Sequence, residues 1–369
     1  MAAELKAKGV RVVDFGAGEP DFDSPSVAVE KARLSLAEGF TKYTPAAGLT
    51  DLRHALLERY RRDFGTPWRE LEEVVITVGA KAALFELALA LYDHGDEVII
   101  PSPSWVTFAE QVRFCGALPV PVETSADDGF RIHADAVLGA LSGATRAILL
   151  NSPCNPTGGM LAGDDLRRIV EVAADRDLVV IADETYERFV YDQSSFPSCA
   201  ALAAEFPNTV ILVGSFSKTY AMTGWRVGYL LGPREVLGSV AAIQSHATSN
   251  PTSFAMTGAL AALNGAEDDV AAMIEEFRCR RDLVVAGLNR LSGVSCKPPS
   301  GAFYAFPRVS DCYANGQGSL EFASFLLDEA GVAVVPGVAF GADDHIRISF
   351  TCSREDLDEG LGRIERALA

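Results

Sequence analysis

Short apolar runs alternate with helical stretches from about residue 74 to residue 232, and this alternation leaves the chain few architectures. The runs are Val74–Val78, Glu97–Ile100, Leu118–Val122, Arg146–Leu150, Leu178–Ile181, Val210–Val213 and Val227–Leu231. A strand that is apolar on both faces needs cover on both faces. With helices such as Lys81–Tyr92 between them, these runs predict an α/β fold: a mostly parallel, seven-stranded sheet between helices. Ligands of such sheets gather at the carboxyl ends of the strands. After Pro251 the pattern changes. Helical stretches cover 252–292, then short strands are expected near Ala302–Phe306, Val332–Val335 and Ile346–Phe350. The last helix carries Leu357, Leu361, Ile364 and Leu368 on one face, with Ser353 as its N-cap and Gly331 stopping an earlier helix. The expected division is a large domain over 28–265 and a smaller α+β domain made of 1–27 and 266–369.

Charge and cysteine usage narrow the function classes. The formal net charge of the 369 residues is −18. That field repels nucleic acid phosphates, although a local cluster of Lys and Arg can still seat a small anion. The seven cysteines (Cys115, Cys154, Cys199, Cys279, Cys296, Cys312 and Cys352) form no C-x-x-C pair, so neither a disulfide framework nor a metal site is expected. Cys154 reads as a filler position. The charged N-terminus lacks an apolar signal region, and no run suggests a membrane helix. A cytoplasmic enzyme without membrane or nucleic acid partners is the expectation.

The chemistry is concentrated in short words just after the strands. Val210–Val213 feeds Gly214-Ser215-Phe216-Ser217-Lys218, and Arg226 follows two helical turns later on a sequence reading. A lysine presented on such a turn can condense with an aldehyde. Ser215 and Arg226 can hold a phosphate beside it. Lysine plus phosphate clamp is what pyridoxal 5′-phosphate (PLP) needs; the plainer alternative is a surface lysine. Gly79-Ala80-Lys81 opens a helix whose first N–H groups make a phosphate seat, or is an ordinary turn. In Asn151–Gly159, two prolines and two glycines fix a loop, and the Asn155 amide can donate to a ring oxygen or a carboxylate. A structural turn is the alternative. Asp183 can hold a pyridine nitrogen protonated, and Tyr186 can bond the ring's phenolate oxygen; alternatively they are a helix N-cap and a core aromatic. Trp105, read as opening a helix, can stack on a ring or simply pack. Arg347 alternates with Ile346 and Ile348, so it faces a carboxylate partner or solvent.

Taken together, these words make the chain resemble class I aminotransferases of PLP fold type I. It is most similar to the bacterial branch holding aspartate, prephenate and aromatic aminotransferases. The resemblance spans nearly the whole chain, through Gly18-Glu19-Pro20-Asp21-Phe22, Thr41-Lys42-Tyr43-Thr44-Pro45, Asn155-Pro156-Thr157-Gly158, Asp183-Glu184-Thr185-Tyr186, Ser215-Phe216-Ser217-Lys218, Gly224-Trp225-Arg226, Gly301-Ala302-Phe303-Tyr304 and Ile346-Arg347-Ile348-Ser349. It implies that Lys218 is the lysine that binds the cofactor, with Ser215, Arg226, Ala80 and Lys81 around the phosphate. It implies that Asp183, Tyr186 and Asn155 touch the ring, with Trp105 stacked on it. Arg347, helped by Asn155 and Gly18, grips the substrate α-carboxylate. Tyr43 reaches the neighbouring subunit's phosphate, which implies a homodimer with shared active sites. Relatives usually carry an N-terminal arm, before the region matching Met1-Ala-Ala-Glu-Leu, that can close over the substrate; here the expectation is an arm that is short or missing.

The expected activity is transfer of an amino group between an L-amino acid and a 2-oxo acid, with aspartate or glutamate favoured. Lys81 carries that preference, since its ammonium can swing to a second carboxylate. Aromatic, prephenate or alanine transamination is the alternative. A PLP-dependent carbon–sulfur lyase or cyclopropane-forming synthase comes next, and an aminotransferase-like regulatory effector domain last.

Overall fold

The computed structural model describes residues 11–192, 195–314 and 316–369. Residues 1–10, to which the expectation of a short arm belongs, lie outside the described residues. In chain order the strands are β1 (Val13–Asp14), β2 (Val74–Thr77), β3 (Glu97–Ser102), β4 (Leu118–Glu123), β5 (Thr145–Asn151), β6 (Val179–Asp183), β7 (Val210–Ser215), β8 (Gly228–Leu231), β9 (Tyr304–Ala305), β10 (Val332–Ala333), β11 (Val335–Pro336) and β12 (Ile346–Ser349).

β2 to β8 build one seven-stranded sheet in the order β2-β8-β7-β6-β5-β3-β4. Only β8 runs against its neighbours, Leu212 facing Leu231 on one side and Val74 facing Leu231 on the other. Alternation along the strands explains why the sheet is covered twice. Ile148 and Leu150 enter one core with Val180, Ala182, Val210 and Leu212. Ala147 and Leu149 enter the opposite core with Val179, Ile181, Ile211 and Val213. Helices Ala80–Leu91 and Arg234–Ala247 close the second face; helices Gly163–Asp175 and Ser253–Gly265 bury residues in the first. Each fully buried aliphatic side chain there contributes roughly 1.5–3 kcal/mol.

A third core joins Val13 and Phe15 to Phe277, Phe303, Tyr304, Ile348 and Leu361. Around it, β11-β12-β9 form a small antiparallel sheet and β1 pairs in parallel with β10. The expected single strand Val332–Val335 is two strands in two sheets, because β10 pairs with β1 and β11 pairs with β12. Ser353 caps the last helix, Arg354–Leu368, by accepting from Asp356 N–H at 3.1 Å. Gly331, at φ 63°, follows the helix Ser319–Glu329. Among the described residues no helix is long and apolar enough to cross a membrane.

Candidate active site

The carboxyl ends of β2, β3, β5, β6 and β7 open on one cavity of about 390 Å³, a volume typical of small-molecule sites. Gly18, Ala80, Lys81, Trp105, Asn155, Asp183, Tyr186, Ser215, Lys218, Arg226 and Arg347 all line it. Of the residues expected at the site, Tyr43 alone is absent from this lining; it is 87% exposed.

Lys218 lies on a single helical turn, Phe216–Thr219, directly after β7. Its Nζ donates to the Gly18 carbonyl. Burial lowers its pKa from 10.5 to about 8; Glu19 works against that shift, and Arg226 and Arg347 add to it. Its neutral form, the nucleophile and base, is therefore easier to reach than for a surface lysine.

The sequence reading put Arg226 two helical turns after Lys218, and this needs correction. The helix stops at Thr219, a short 3-10 turn spans Thr223–Trp225, and Arg226 takes φ 56°, the left-handed region. The reversal lets β8 return antiparallel beside β7, with Ser215 opposite Gly228. Arg226 thereby reaches back to Thr223 O at 2.8 Å and lies against Gly79, where any Cβ would collide with its guanidinium. Across the same corner, the helix Ala80–Leu91 starts with no side-chain cap. Its first internal bond runs from Ala83 N–H to Gly79 O, at 3.2 Å, so the earlier N–H groups have no helical partner. Ser215, Arg226 and this bare helix start form an anion seat.

Asp183 is the last residue of β6, and turn residues follow it, so it caps no helix. It is 4% exposed. Thr185 donates to its Oδ1 twice, from N–H at 3.1 Å and from Oγ1 at 2.7 Å. Among the described residues Oδ2 accepts no hydrogen bond. Burial pushes the carboxyl upward while the Thr185 bonds and Lys218 pull it down. A cation set against Oδ2 would hold it ionised. Tyr186 is buried in the third core and its hydroxyl lies 2.9 Å from that of Tyr304. It is therefore a core aromatic that also lines the cavity.

Arg347 is buried, which removes the solvent-facing alternative. Nη1 donates to Asn155 Oδ1 at 2.9 Å and Nη2 to Gly16 O at 3.0 Å; Nε has no partner. Among the described residues no carboxylate pairs with it, so a buried guanidinium faces the cavity without a counter-ion. Trp105 precedes its helix, Thr107–Phe114, instead of opening it. Lys81 Nζ sits 4.8 Å from the Trp105 ring centre and makes no salt bridge among the described residues.

Thr185, Ser217, Thr223 and Tyr304 also line the cavity and were not singled out from sequence. Thr185 and Tyr304 were legible only as members of longer words. Thr223, whose Oγ1 donates to Glu19 at 2.6 Å, carried no signal of its own.

The family model for aminotransferase class I and II matches residues 10–364. A probable aspartate/prephenate aminotransferase of Aquifex aeolicus is 43% identical over 369 residues, covering 100% of this chain and 93% of its own. An aspartate aminotransferase of Bacillus subtilis is 39% identical, covering 99% of this chain and 93% of its own. The crystal structure of the aspartate aminotransferase from Rhizobium meliloti superposes with a TM-score of 0.95 at 40% identity, covering 100% of this chain and 94% of that one. With a family model over nearly its whole length, relatives at this identity and the same fold, the chain belongs to the aminotransferase class I and II family.

Proposed function

We propose that the protein is a PLP-dependent transaminase that exchanges amino groups between aspartate and a 2-oxo acid, glutamate and 2-oxoglutarate forming the other pair. The observation that carries the reading is one cavity holding Lys218, Asp183, an anion seat and the unpaired Arg347. The residues fit PLP. Ser215, Arg226 and Ala80 would hold its phosphate, Asp183 its ring nitrogen, Tyr186 and Asn155 its ring oxygen, and Trp105 its ring face, with Lys81 left for the substrate's second carboxylate. When bound, PLP supplies an electron sink for a bond broken at the substrate's Cα.

The chain's own groups do the rest. Arg347, with Asn155 beside it, binds the α-carboxylate by charge-assisted hydrogen bonds and so orients Cα. Lys218 Nζ takes the Cα proton and returns it as general base and acid. Gly18 joins the carboxylate pocket in this reading, and its carbonyl also steadies Lys218 Nζ. The larger part, 28–265, carries the cofactor; the smaller part, 1–27 with 266–369, brings Arg347. A cytoplasmic setting belongs to the same proposal, and all seven cysteines are free.

Aspartate is favoured on Lys81, a cation at the cavity wall with no acidic partner among the described residues. Its position over Trp105 lets it meet a second carboxylate. A kcat/KM panel over aspartate, glutamate, alanine, phenylalanine and prephenate tests this. Lys81→Ala should lower aspartate and glutamate about tenfold and leave alanine and phenylalanine near their starting values, the size of one exposed charge-assisted contact. A uniform loss would reassign Lys81 to the phosphate, and an alanine- or phenylalanine-dominated profile in the unsubstituted enzyme would sink the aspartate reading.

The proposal includes a homodimer in which Tyr43 completes the partner's phosphate seat. The exposed apolar residues Val27, Val29, Leu34, Leu36 and Phe40, in the stretch of chain that leads to Tyr43, support this. Sedimentation at micromolar concentration should give a dimer. A monomer with full activity would refute shared sites.

A further inference from the structure

Tyr304 bridges the two halves of the candidate site. It lies on β9, opposite Ser349 of β12. Arg347 is two residues from Ser349 along that strand, so Arg347 and Tyr304 share a face as diagonal neighbours. The Arg347 guanidinium accordingly lies 4.4 Å from the Tyr304 ring centre, within cation–π range. At the far end of the same ring, the Tyr304 hydroxyl is 2.9 Å from the Tyr186 hydroxyl. Gly18 packs against that hydroxyl: a Cβ built there would meet it at 3.3 Å. Tyr304 is 1% exposed, so its hydroxyl is held in place by protein.

A phenol has one proton to donate and can accept while donating. If Tyr186 turns its proton toward a ring oxygen of the cofactor, its own oxygen is left to accept, and Tyr304 is the donor in reach. Donation into Tyr186 polarises its O–H bond and strengthens what it gives onward. The Tyr304 ring meanwhile offers its face to the guanidinium that takes the substrate carboxylate.

Resting on the PLP reading above, we propose that Tyr304 is a positioning residue with two separable parts: its hydroxyl sets the hydrogen-bond strength of Tyr186 toward the cofactor, and its ring seats Arg347 for the substrate carboxylate.

Two substitutions in the cofactor-loaded enzyme separate the parts. Tyr304→Phe keeps the ring and removes the hydroxyl. It should lower kcat about tenfold and leave KM for aspartate within about threefold. The pH midpoint of the bound cofactor's absorption band should move upward by about 0.5–1 unit, because the ring oxygen loses part of the bond that stabilises its anion. Tyr304→Leu removes the ring as well, and should raise KM and the Kd of the unreactive dicarboxylate maleate by about tenfold or more. An unchanged midpoint and kcat in Tyr304→Phe overturns the hydroxyl's role. Equal maleate binding in the Phe and Leu variants overturns the ring's role. Absence of any cofactor band in the unsubstituted enzyme would instead overturn the PLP reading, which keeps the two failures apart.

Discussion

Replacing Lys218 with alanine is expected to lower transamination by at least about 10³-fold, since in the proposed reaction one side chain serves as both cofactor anchor and proton carrier. The anchor role follows from its place on the one-turn helix after β7, within the cavity. The proton role follows from its environment: burial brings its pKa down to about 8. Loss of the cofactor's lysine-linked absorption band should accompany the loss of turnover. Far-ultraviolet circular dichroism should stay unchanged, because a smaller neutral side chain relieves a desolvated amine. A Lys218→Ala enzyme with normal turnover would remove Lys218 from the reaction.

Arg347→Leu is the second large effect. The guanidinium is buried against Tyr304 and Phe340, and its protein partners are an amide oxygen and a backbone carbonyl. Neither carries a negative charge, and in the proposed reaction the substrate carboxylate supplies it. Leucine fills most of the volume and offers nothing to that carboxylate. Truncating one partner of a desolvated ion pair costs about 3–5 kcal/mol, so kcat/KM should fall by roughly 10²-fold to 5 × 10³-fold. Arg347→Lys should recover only part of this, because an ammonium lacks the planar two-donor fork. The absorption band should persist in both variants. Loss of the band on changing Arg347 would mean that this residue supports the cofactor instead.

These expectations fall on residues that differed in how readily the sequence revealed them. The seven strands were legible because residues such as Ala147 to Leu150 feed opposite cores in turn, leaving a continuous apolar run. Lys218, Asp183 and Asn155 were legible because each follows such a run. What escaped was set by tertiary pairing. Val332–Val335 looks like one strand, yet its two halves answer to β1 and β12. The route from Lys218 to Arg226 looks helical, but the left-handed Arg226 and the β7–β8 pairing decide it. Trp105 sits before its helix, a boundary that propensity does not fix. Tyr304 and Thr185 are ordinary core and turn residues by sequence. Their importance is one of distance, 2.9 Å to Tyr186 and 2.7 Å to Asp183, and no pattern along the chain encodes that.

The most direct test of the account is chemical trapping of the cofactor link. The protein loaded with PLP is reduced with borohydride, digested and mapped by mass spectrometry. The account requires a single pyridoxyl-modified peptide carrying the mass on Lys218, in the segment that runs from Ser215 to Arg226. Modification on Lys81 or any other lysine, or no covalent adduct at all, would contradict it.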